Sequence, residues 1–374
     1  MNFQLTEDQR MLVESATGFT KKHSPVTRMR KLRTDPVGWS PEVWRQMGDL
    51  GWIGLAFPEA VGGMGGTFVD VALVLEQLGT TLVPEPLVST LVAGAAIVAA
   101  GSTEQQKAVL APVVAGKAAL ALAWAEADGR YDLAQLATRA ERAGGGLRLS
   151  GSKRFVLDGH AAAQLVVSAR AGGDVALVVV DAKAPGVTLT PVRTIDGRMA
   201  AHVELANVEV AGDRVLANAP AAALDRALDI AAAAACAEGV GIMKAVLAMT
   251  VEYLRTREQF GAKIGTFQVL QHRAVDMFIH TELLRSAALG AAIRIDDSDA
   301  NERRAAVSAA KVQLAESGRF VTQQAIQLHG GIGITDEHDV GLFFKRMVAL
   351  NALFGDGQHH VERFAALPGF AGTA

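Results

Sequence analysis

The chain has 374 residues, of which 50% are hydrophobic and 20% charged, and its formal net charge is −3. This composition supports a large buried core, and it excludes intrinsic disorder and the strongly basic surface of a nucleic-acid-binding protein. The single cysteine, Cys236, excludes an intrachain disulfide framework and an all-cysteine metal site. Because the N-terminus lacks the apolar core of a signal peptide, and no apolar stretch is suited to spanning a bilayer, we expect a soluble cytoplasmic protein.

Helical periodicity extends over residues 1–118 and predicts an N-terminal helical domain. Thr6 stands three residues before a glutamine, which is the spacing of a capping box at the start of a helix. The pair Ser40-Pro41 predicts a second helix start, with proline in the first helical position. Two further helices are predicted at Phe68–Leu78 and Leu87–Ala100.

The pattern changes over residues 119–220, where short segments rich in Val and Leu are separated by Gly, Pro and Asp. Such segments are typical of strands in an antiparallel β domain. The predicted strands are Leu147–Leu149, Leu165–Ala169, Ala176–Asp181, Val187–Val192 and His202–Leu205. Helical periodicity returns over residues 221–374, and the predicted breaks are Gly261–Gly265, Asp296–Asp299 and Gly330–Gly333. The order of these three parts predicts an α+β protein.

The common nucleotide and metal motifs do not occur in the sequence. The glycine-rich segment Gly63–Phe68 lacks the third glycine of G-x-G-x-x-G and does not follow a predicted strand, and no G-x-x-x-x-G-K-[ST] is present. A Rossmann domain and a P-loop are therefore not expected. The adjacent His359 and His360 would point in different directions from a helix, so we expect no metal site.

The segment from Tyr253 to Gln268 combines a basic helix end, a glycine break and the start of a new helix. Arg257 at the end of the first helix favours the helix dipole, and its planar guanidinium could equally bind a pyrophosphate. The alternative is a surface arginine beside a buried Phe260. Gln268 and His272 are four residues apart and would lie on one face of the second helix.

A second segment, from Gln327 to Thr335, has three glycines within four positions. Glycines lack a Cβ atom, so the backbone here could lie close to a ligand or to a neighbouring chain. The alternative is an ordinary turn that ends a helix.

The third segment places one carboxylate, Asp356, between two glycines late in the helical part of the chain. A carboxylate held in this way could act as a general base. The alternative, which is the more common role of such an aspartate, is an N-cap before a new helix.

In combination, these segments resemble the acyl-CoA dehydrogenase family. The resemblance rests on R-x-Q-F-G-x-x-I-G-x-F-Q, on Q-L-H-G-G-x-G, and on a carboxylate-Gly pair about 25 residues later. Gly51–Gly63 and Glu76–Gly79 match the N-terminal part of the family, and the resemblance covers nearly the whole chain. It implies an N-terminal helical domain (1–118), a middle β-barrel domain (119–220) and a C-terminal four-helix-bundle domain (221–374).

The resemblance also implies a function. The family binds FAD in a homotetramer or heterotetramer and converts an acyl-CoA thioester to trans-2-enoyl-CoA: a carboxylate removes the α-proton, and the β-hydride passes to the flavin. An electron-transfer flavoprotein is the implied acceptor. Carried over to this sequence, Asp356 takes the position of the base, and the implied FAD contacts are Arg257, Phe260, Gln268, Gln327, His329, Gly330, Gly331, Phe155, Gln358 and His360.

The sequence departs from the family at several of these positions. Asp356 stands where the family usually has Glu, which places its oxygens about 1 Å short and costs about 10²-fold in rate unless the site adjusts. Some members place the Glu earlier, at the position of Ala231 here, and Glu238 is a further candidate. The flavin-facing T-E-P-x-A-G-S-D segment is replaced by Ala125–Asp132, and W-I-T is replaced by Phe155–Leu157.

Two hypotheses accommodate these departures. The chain is either an active dehydrogenase that uses Asp356, or a non-catalytic or half-site subunit that contributes FAD contacts to a related subunit of a heterotetramer. A third, less favoured hypothesis is an acid–base enzyme without flavin. Small residues at Ala231–Ala235 could make room for a bulky or branched acyl group.

Overall fold

The computed structural model describes residues 4–129, 131–133 and 135–369. The chain forms two compact units. Unit 1 comprises Met1–Arg33, Phe68–Val83 and Ala232–Ala374, and unit 2 comprises Thr34–Thr67 and Pro84–Ala231.

The order of helical, β and helical segments predicted from the sequence is confirmed. The α-helices in the described part of the chain are α1 (Glu7–His23), α2 (Val26–Leu32), α3 (Pro41–Asp49), α4 (Phe68–Gly79), α5 (Leu87–Ala100), α6 (Thr103–Val114), α7 (Pro220–Thr256), α8 (Gln268–Arg294), α9 (Ala300–Gln313), α10 (Arg319–His329), α11 (Val340–Ala352) and α12 (Gly357–Ala365). The strands are β1 (Leu120–Ala123), β2 (Arg139–Ala143), β3 (Gly146–Leu157), β4 (Gln164–Ala171), β5 (Asp174–Asp181), β6 (Val187–Arg193), β7 (Met199–Ala211), β8 (Val215–Leu216), β9 (Glu258–Gln259) and β10 (Ala262–Lys263).

Unit 2 is built around one sheet, in the order β6-β7-β3-β2-β4-β5-β8, with β1 also paired to β4. The neighbouring pairs are antiparallel apart from β1–β4 and a single pairing of β2 with β4, which are parallel. The sheet is therefore mixed, whereas the sequence predicted an antiparallel one. All four residues of β1 are buried, which is typical of a parallel strand covered on both faces. Helix α5 covers β1 and is joined to it by Thr90, whose side chain accepts a 3.1 Å hydrogen bond from the N–H of Leu120.

Unit 1 packs α1, α2 and α4 with the later helices of the chain. A Cβ atom at Gly241 on α7 would lie 1.9 Å from the carbonyl oxygen of Glu76, and one at Gly79 would lie 2.4 Å from that of Glu238. The backbones of α4 and α7 therefore touch, and glycine is required at both positions. This contact gives the Glu76–Gly79 motif a packing role.

Helix α7 is 37 residues long and is apolar enough to cross a membrane by length and composition alone. Most of its apolar window, 83%, is buried inside the fold, as expected for the core helix of a globular protein. The helix serves as a central packing element, and its last turn leads to Arg257.

The predicted N-caps at Thr6 and Ser40 are both present, and Thr6 forms a complete capping box with Gln9. Helices α2 and α6 and strands β1, β2, β8, β9 and β10 were not predicted. Residues 1–118, predicted as one helical domain, contribute to both compact units. The domain boundaries at 118/119 and 220/221 remain a prediction from the sequence.

Candidate active site

Asp356 lies between α11 and α12 and is the N-cap of α12. Its Oδ1 accepts a 2.8 Å hydrogen bond from the N–H of His359. The two preceding residues have left-handed backbones, with φ of +60° at Phe354 and +104° at Gly355. A Cβ atom at residue 355 would lie 2.5 Å from Nε2 of His360, so only glycine fits there. The strained loop thus fixes the position of the carboxylate.

His360 supports this loop from inside the protein. Its side chain is buried, Nε2 donates a 3.0 Å hydrogen bond to the carbonyl oxygen of Phe354, and Nδ1 accepts one from Oγ of Ser308 at 3.2 Å. These partners require a neutral ring with its proton on Nε2. Burial, assisted by the Lys311 ammonium, lowers the pKa of His360 to about 3. Both ring nitrogens are occupied within the chain, and the FAD contact of His360 remains a prediction.

Gln358, the second predicted FAD contact on α12, lies on the exposed side of this helix. Its amide Nε2 donates a 2.8 Å hydrogen bond to Oε1 of Glu362, one turn further along. The amide keeps a second N–H donor and its Oε1 acceptor for a ligand. The predicted contact is compatible with the geometry and remains a prediction.

The other two positions considered for a catalytic base do not offer one. Glu238 accepts hydrogen bonds of 2.8 and 2.7 Å from Nε and Nη2 of Arg346, and both side chains are buried. Such a bidentate pair engages both carboxylate oxygens, so neither is left open for proton abstraction. Ala231 is fully buried and has no group that can accept a proton. Asp356 remains as the candidate base.

Arg257 and Phe260 lie on a hairpin that the sequence indicated only as a glycine break. Strands β9 and β10 are joined by Phe260 and Gly261, whose φ angles of +56° and +74° are those of a type I′ turn. The turn places the Phe260 ring in solvent, 91% exposed, with only an edge contact to Phe267. Among the described residues, no carboxylate forms an ion pair with the exposed Arg257. Gln268, also exposed, begins α8 directly after the hairpin.

The second glycine segment forms the end of α10 and a short 3₁₀ helix, Gly330–Ile334. A Cβ atom at Gly333 would lie 2.5 Å from the carbonyl oxygen of Ile326, so packing within the chain requires this glycine. Cβ atoms at Gly330 and Gly331 would meet nothing within 4 Å. Gly330 has a left-handed φ of +61°, whereas Gly331 has neither a positive φ nor a close neighbour. An open backbone at this point fits the close approach of a group from outside the chain.

His329 is buried beside this segment and stacks against the rings of Tyr253 and His338, at centroid distances of 4.6 and 4.4 Å. Its Nδ1 donates a 2.8 Å hydrogen bond to the carbonyl oxygen of Ala325. Nε2 is then a lone-pair acceptor, and it is buried without a hydrogen-bond partner in the part of the chain that the structure describes. Burial lowers the pKa of His329. Gln327, two residues earlier, is exposed.

A pocket of about 380 Å³ lies beside the glycine segment, between α10 and α11. Its lining includes the apolar residues Ile326, Ile334 and Phe344 and the charged residues Asp336 and Lys345. Apolar walls beside one anionic and one cationic group are suited to a flat ring that carries polar substituents.

On the acidic side of this pocket, two aspartates form ion pairs with arginines of helix α2. Arg33 binds the Asp336 carboxylate through both terminal nitrogens, and Arg30 binds Asp339 at 2.7 Å. The hydrogen bond from Arg33 is the largest cause of the pKa of Asp336 falling to about 2. The charge of Asp336 is therefore neutralised within unit 1.

Phe155 is the predicted aromatic contact on the β domain. A register shift in the β3–β7 pairing lies between Lys153 and Val156 and gives Phe155 a left-handed φ of +48°. The bulge turns the ring outward, 61% exposed, with an edge contact to His202 at 4.8 Å. An exposed aromatic ring held by a strained backbone is suited to stacking on a flat ligand.

Behind Phe155, Lys153 and Glu126 form a buried ion pair of 2.6 Å that the sequence did not indicate. Burial lowers the pKa of Lys153 to about 8, and the Glu126 carboxylate opposes this shift. Glu126 also accepts hydrogen bonds from the N–H groups of Ala137 and Thr138. The pair thus ties both ends of the 125–138 loop to β3. Arg130 in the predicted flavin-facing segment lies outside the described residues.

The exposed groups fit FAD in their chemistry. The guanidinium of Arg257, the amides of Gln268 and Gln327, and the open backbone at Gly331 can donate to a pyrophosphate or an adenosine. The exposed ring of Phe155 can pack against an isoalloxazine. Within the described ranges, no group of three or more metal-ligating side chains occurs.

Three models of one protein family match the chain in succession. The acyl-CoA dehydrogenase N-terminal domain matches residues 6–117, the middle domain residues 121–208 and the C-terminal domain residues 221–366. Acyl-CoA dehydrogenase IpdE2 of Mycobacterium tuberculosis is 31% identical over 91% of this chain and 91% of its own length.

Two solved structures are similar over nearly the full length. A variant of the Tcur3481-Tcur3483 steroid ACAD is 32% identical, with a TM-score of 0.88 over 96% of this chain and 97% of its own. The ChsE4-ChsE5 complex from Mycobacterium tuberculosis is 27% identical, with a TM-score of 0.90 over 98% of each chain.

Proposed function

The chain belongs to the acyl-CoA dehydrogenase family, and we propose that it forms trans-2-enoyl-CoA from an acyl-CoA, with Asp356 as the base that removes the α-proton. Membership makes it a flavoprotein oxidoreductase with FAD as its cofactor. The observation that carries the proposal is the strained loop that ends at Asp356. This loop uses Oδ1 of the carboxylate as a helix cap, and Oδ2 has no hydrogen-bond partner among the described residues.

The residues of the proposed site have separate roles. Oδ2 of Asp356 accepts the α-proton of the bound thioester, while the N–H of His359 holds Oδ1 in place. Arg257, Gln268 and Gln327 donate hydrogen bonds to the phosphates and the adenosine of FAD. Phe155 packs against the isoalloxazine ring and excludes water from its face. Bound FAD supplies the acceptor for the β-hydride.

A half-site subunit is the second candidate function, and two observations favour it. Ala231 stands at the position of the alternative base, and Arg346 binds Glu238. Neither residue can therefore replace Asp356 as the base. The ChsE4-ChsE5 structure is a complex of two different proteins. In this alternative, the chain contributes Arg257 and Gln327 to FAD that a related subunit holds.

The assembly, acceptor and location follow the same proposal. We propose a homotetramer or a heterotetramer with a related subunit, reoxidation by an electron-transfer flavoprotein, and a cytoplasmic location. Because one of the similar structures is a steroid ACAD, steroid-like thioesters should be among the acyl-CoAs tested. Ala231–Ala235, all buried, are the small residues that would make room for a bulky group.

The test is to express and purify the chain alone and to record its flavin absorbance and its mass in solution. We expect a yellow tetramer whose absorbance bleaches anaerobically with an acyl-CoA from a panel of straight-chain, branched and steroid-like thioesters. A thermal-shift screen with the same panel identifies the substrate class. A colourless protein that gains flavin only when co-expressed with a related subunit would support the half-site alternative. A yellow protein without any redox response to the panel would contradict the dehydrogenase.

A further inference from the structure

Lys311 on α9 is a buried lysine to which the sequence analysis gave no role. Its side chain is 1% exposed, and Nζ donates hydrogen bonds of 2.8 Å to the carbonyl oxygen of Leu350 and 2.9 Å to that of Leu353. No carboxylate forms an ion pair with it among the described residues. Burying an ammonium group without a paired carboxylate costs free energy of folding. We therefore expect this lysine to have a specific role.

The two carbonyl groups belong to the C-terminal end of α11. The last carbonyls of a helix lack partners within the helix and carry the negative end of its dipole, which a cation stabilises. Leu353 is the C-cap residue of α11 and lies three residues before Asp356. The ammonium group of Lys311 therefore fixes the point at which the chain leaves α11 and enters the loop.

The helix that follows the loop is also held from α9. Oγ of Ser308, one helical turn before Lys311, donates to Nδ1 of His360 on α12, and Nε2 of His360 donates to the carbonyl oxygen of Phe354. One face of α9 thus contacts the end of α11 before the strained loop and α12 after it. The left-handed residues Phe354 and Gly355 are kept in place between these two attachments.

We propose that Lys311 is a positioning residue for Asp356: by holding the carbonyl oxygens of Leu350 and Leu353, it places the carboxylate at the start of α12. The proposal rests on the proposed function, in which Asp356 is the base. Lys311 touches neither the substrate nor the cofactor in this role, and it acts through the loop.

Lys311 also acts on the groups around the loop through its charge. Burial lowers the pKa of Lys311 to about 8, whereas Cys236 and Asp356 oppose this shift through their charges. Burial lowers the pKa of His359 and His360 on α12, and the charges of Arg363 and Lys311 add to this shift. The neutral ring of His360 is the form that accepts a hydrogen bond from Ser308 and donates one to Phe354, so the charge of Lys311 favours the hydrogen bonds that hold the loop.

The experiment compares the flavin-loaded wild type with Lys311→Met, which removes the cation and both hydrogen bonds while keeping a similar volume. The first readout is amide hydrogen exchange of the 350–360 segment by mass spectrometry. The second is the exchange of the α-proton of an acyl-CoA with D₂O, followed over a series of acyl-CoA concentrations without an electron acceptor. Lys244→Met is the matched control, because Lys244 pairs with Glu76 on α4 and has no contact with the loop.

For Lys311→Met we expect faster amide exchange in the 350–360 segment alone. We also expect a loss of about 10- to 100-fold in α-proton exchange, with KM changed by less than about threefold. Lys244→Met should leave all of these readouts at the wild-type values.

A second variant covers the case in which Lys311→Met does not fold. Lys311→Gln keeps N–H donors and loses the charge, so we expect partial protection of the loop and a smaller loss of α-proton exchange than in Lys311→Met. Wild-type amide exchange in the loop, or wild-type α-proton exchange, in the variant that folds would overturn the proposal. Asp356→Asn separates the role of Asp356 as the base from the role of Lys311 in holding the loop. If this variant retains α-proton exchange, Asp356 is not the base. The amide exchange of the Lys311 variants still decides whether Lys311 holds the loop.

Discussion

The backbone N–H of His359 donates a 2.8 Å hydrogen bond to Oδ1 of Asp356, so the candidate base is also the N-cap of α12. The two roles that the sequence allowed for Asp356, general base and helix N-cap, are therefore compatible. Capping uses one carboxylate oxygen and places the group at the positive end of a helix dipole. The second oxygen, Oδ2, is the one assigned to proton transfer.

Gly331 should be needed for flavin and dispensable for folding. A Cβ atom would meet nothing within 4 Å at Gly331, but at Gly333 it would lie 2.5 Å from the Ile326 carbonyl oxygen. We expect Gly331→Ala to keep the wild-type melting temperature and to lower the flavin content of the purified protein. Gly333→Ala is the control and should lower the melting temperature. Full flavin content in Gly331→Ala would show that no ligand approaches this backbone.

The exposed apolar face of α8 should be an interface between subunits. Val275, Phe278, Ile279 and Leu283 are each between 47% and 55% exposed, and they are spaced along one side of the helix. Exposed apolar residues in such a continuous patch favour protein association. Phe278→Glu should shift the protein to smaller species in sedimentation velocity. Met11→Glu, an exposed apolar position on α1, should not change the sedimentation, and an unchanged assembly in both variants would exclude the α8 face.

The ion pair of Lys153 with Glu126 should be important for the stability of the β domain. Both side chains are buried, so Lys153→Met leaves a buried carboxylate without its cation, although two backbone N–H groups still bind it. We expect a loss of about 3–5 kcal/mol in the free energy of unfolding, measured by urea denaturation. The exposed pair of Arg148 and Glu209 provides the control, since Arg148→Met should cost less than about 1 kcal/mol. Equal losses in the two variants would contradict the role given to burial.

His360 should make the fold less stable in acid. Its pKa is lowered to about 3 in the fold, against an unfolded value of about 6.5. The unfolded chain therefore binds the extra proton first, and the free energy of unfolding falls as the pH drops from about 6.5 towards 3, by up to about 1.4 kcal/mol per unit. His360→Gln should flatten this slope in urea titrations between pH 7 and pH 5. The exposed His272→Gln should retain the slope, and a wild-type slope in His360→Gln would refute the assignment.

Two variants of Asp356 should separate capping from catalysis. Asparagine caps a helix about as well as aspartate, so Asp356→Asn should keep the wild-type melting temperature. Asp356→Ala removes the cap and should lower the free energy of unfolding by about 0.5–2 kcal/mol, measured by urea denaturation. Equal stability of the alanine and asparagine variants would mean that the hydrogen bond to His359 contributes little.

Local signals in the sequence were sufficient for much of the fold. The capping box at Thr6, the Ser40-Pro41 pair and the glycine breaks depend on residues a few positions apart, and each marks a helix boundary in the structure. The strands that were missed have weaker signals. Strand β2 is the polar segment Arg139–Ala143, and β8 has only two residues.

The supports of the candidate site could not be predicted, because they join residues far apart in the chain. Glu238 and Arg346 are 108 residues apart, and Lys311 is 42 residues from Leu353. The sequence did carry one signal for Lys311: it shares a helix face with the buried Val307 and Leu314. His360 was predicted as a cofactor contact from its place in a motif, and only the structure gave its buried partners.

The central claim is that Asp356 abstracts the substrate proton in a chain that holds its own flavin. Its most direct test is anaerobic titration of the flavin-loaded Asp356→Asn variant with the acyl-CoA that bleaches the wild type. We expect a variant that keeps its flavin and its melting temperature but shows no bleaching. Bleaching of the variant at the wild-type rate would contradict it and remove Asp356 from the reaction.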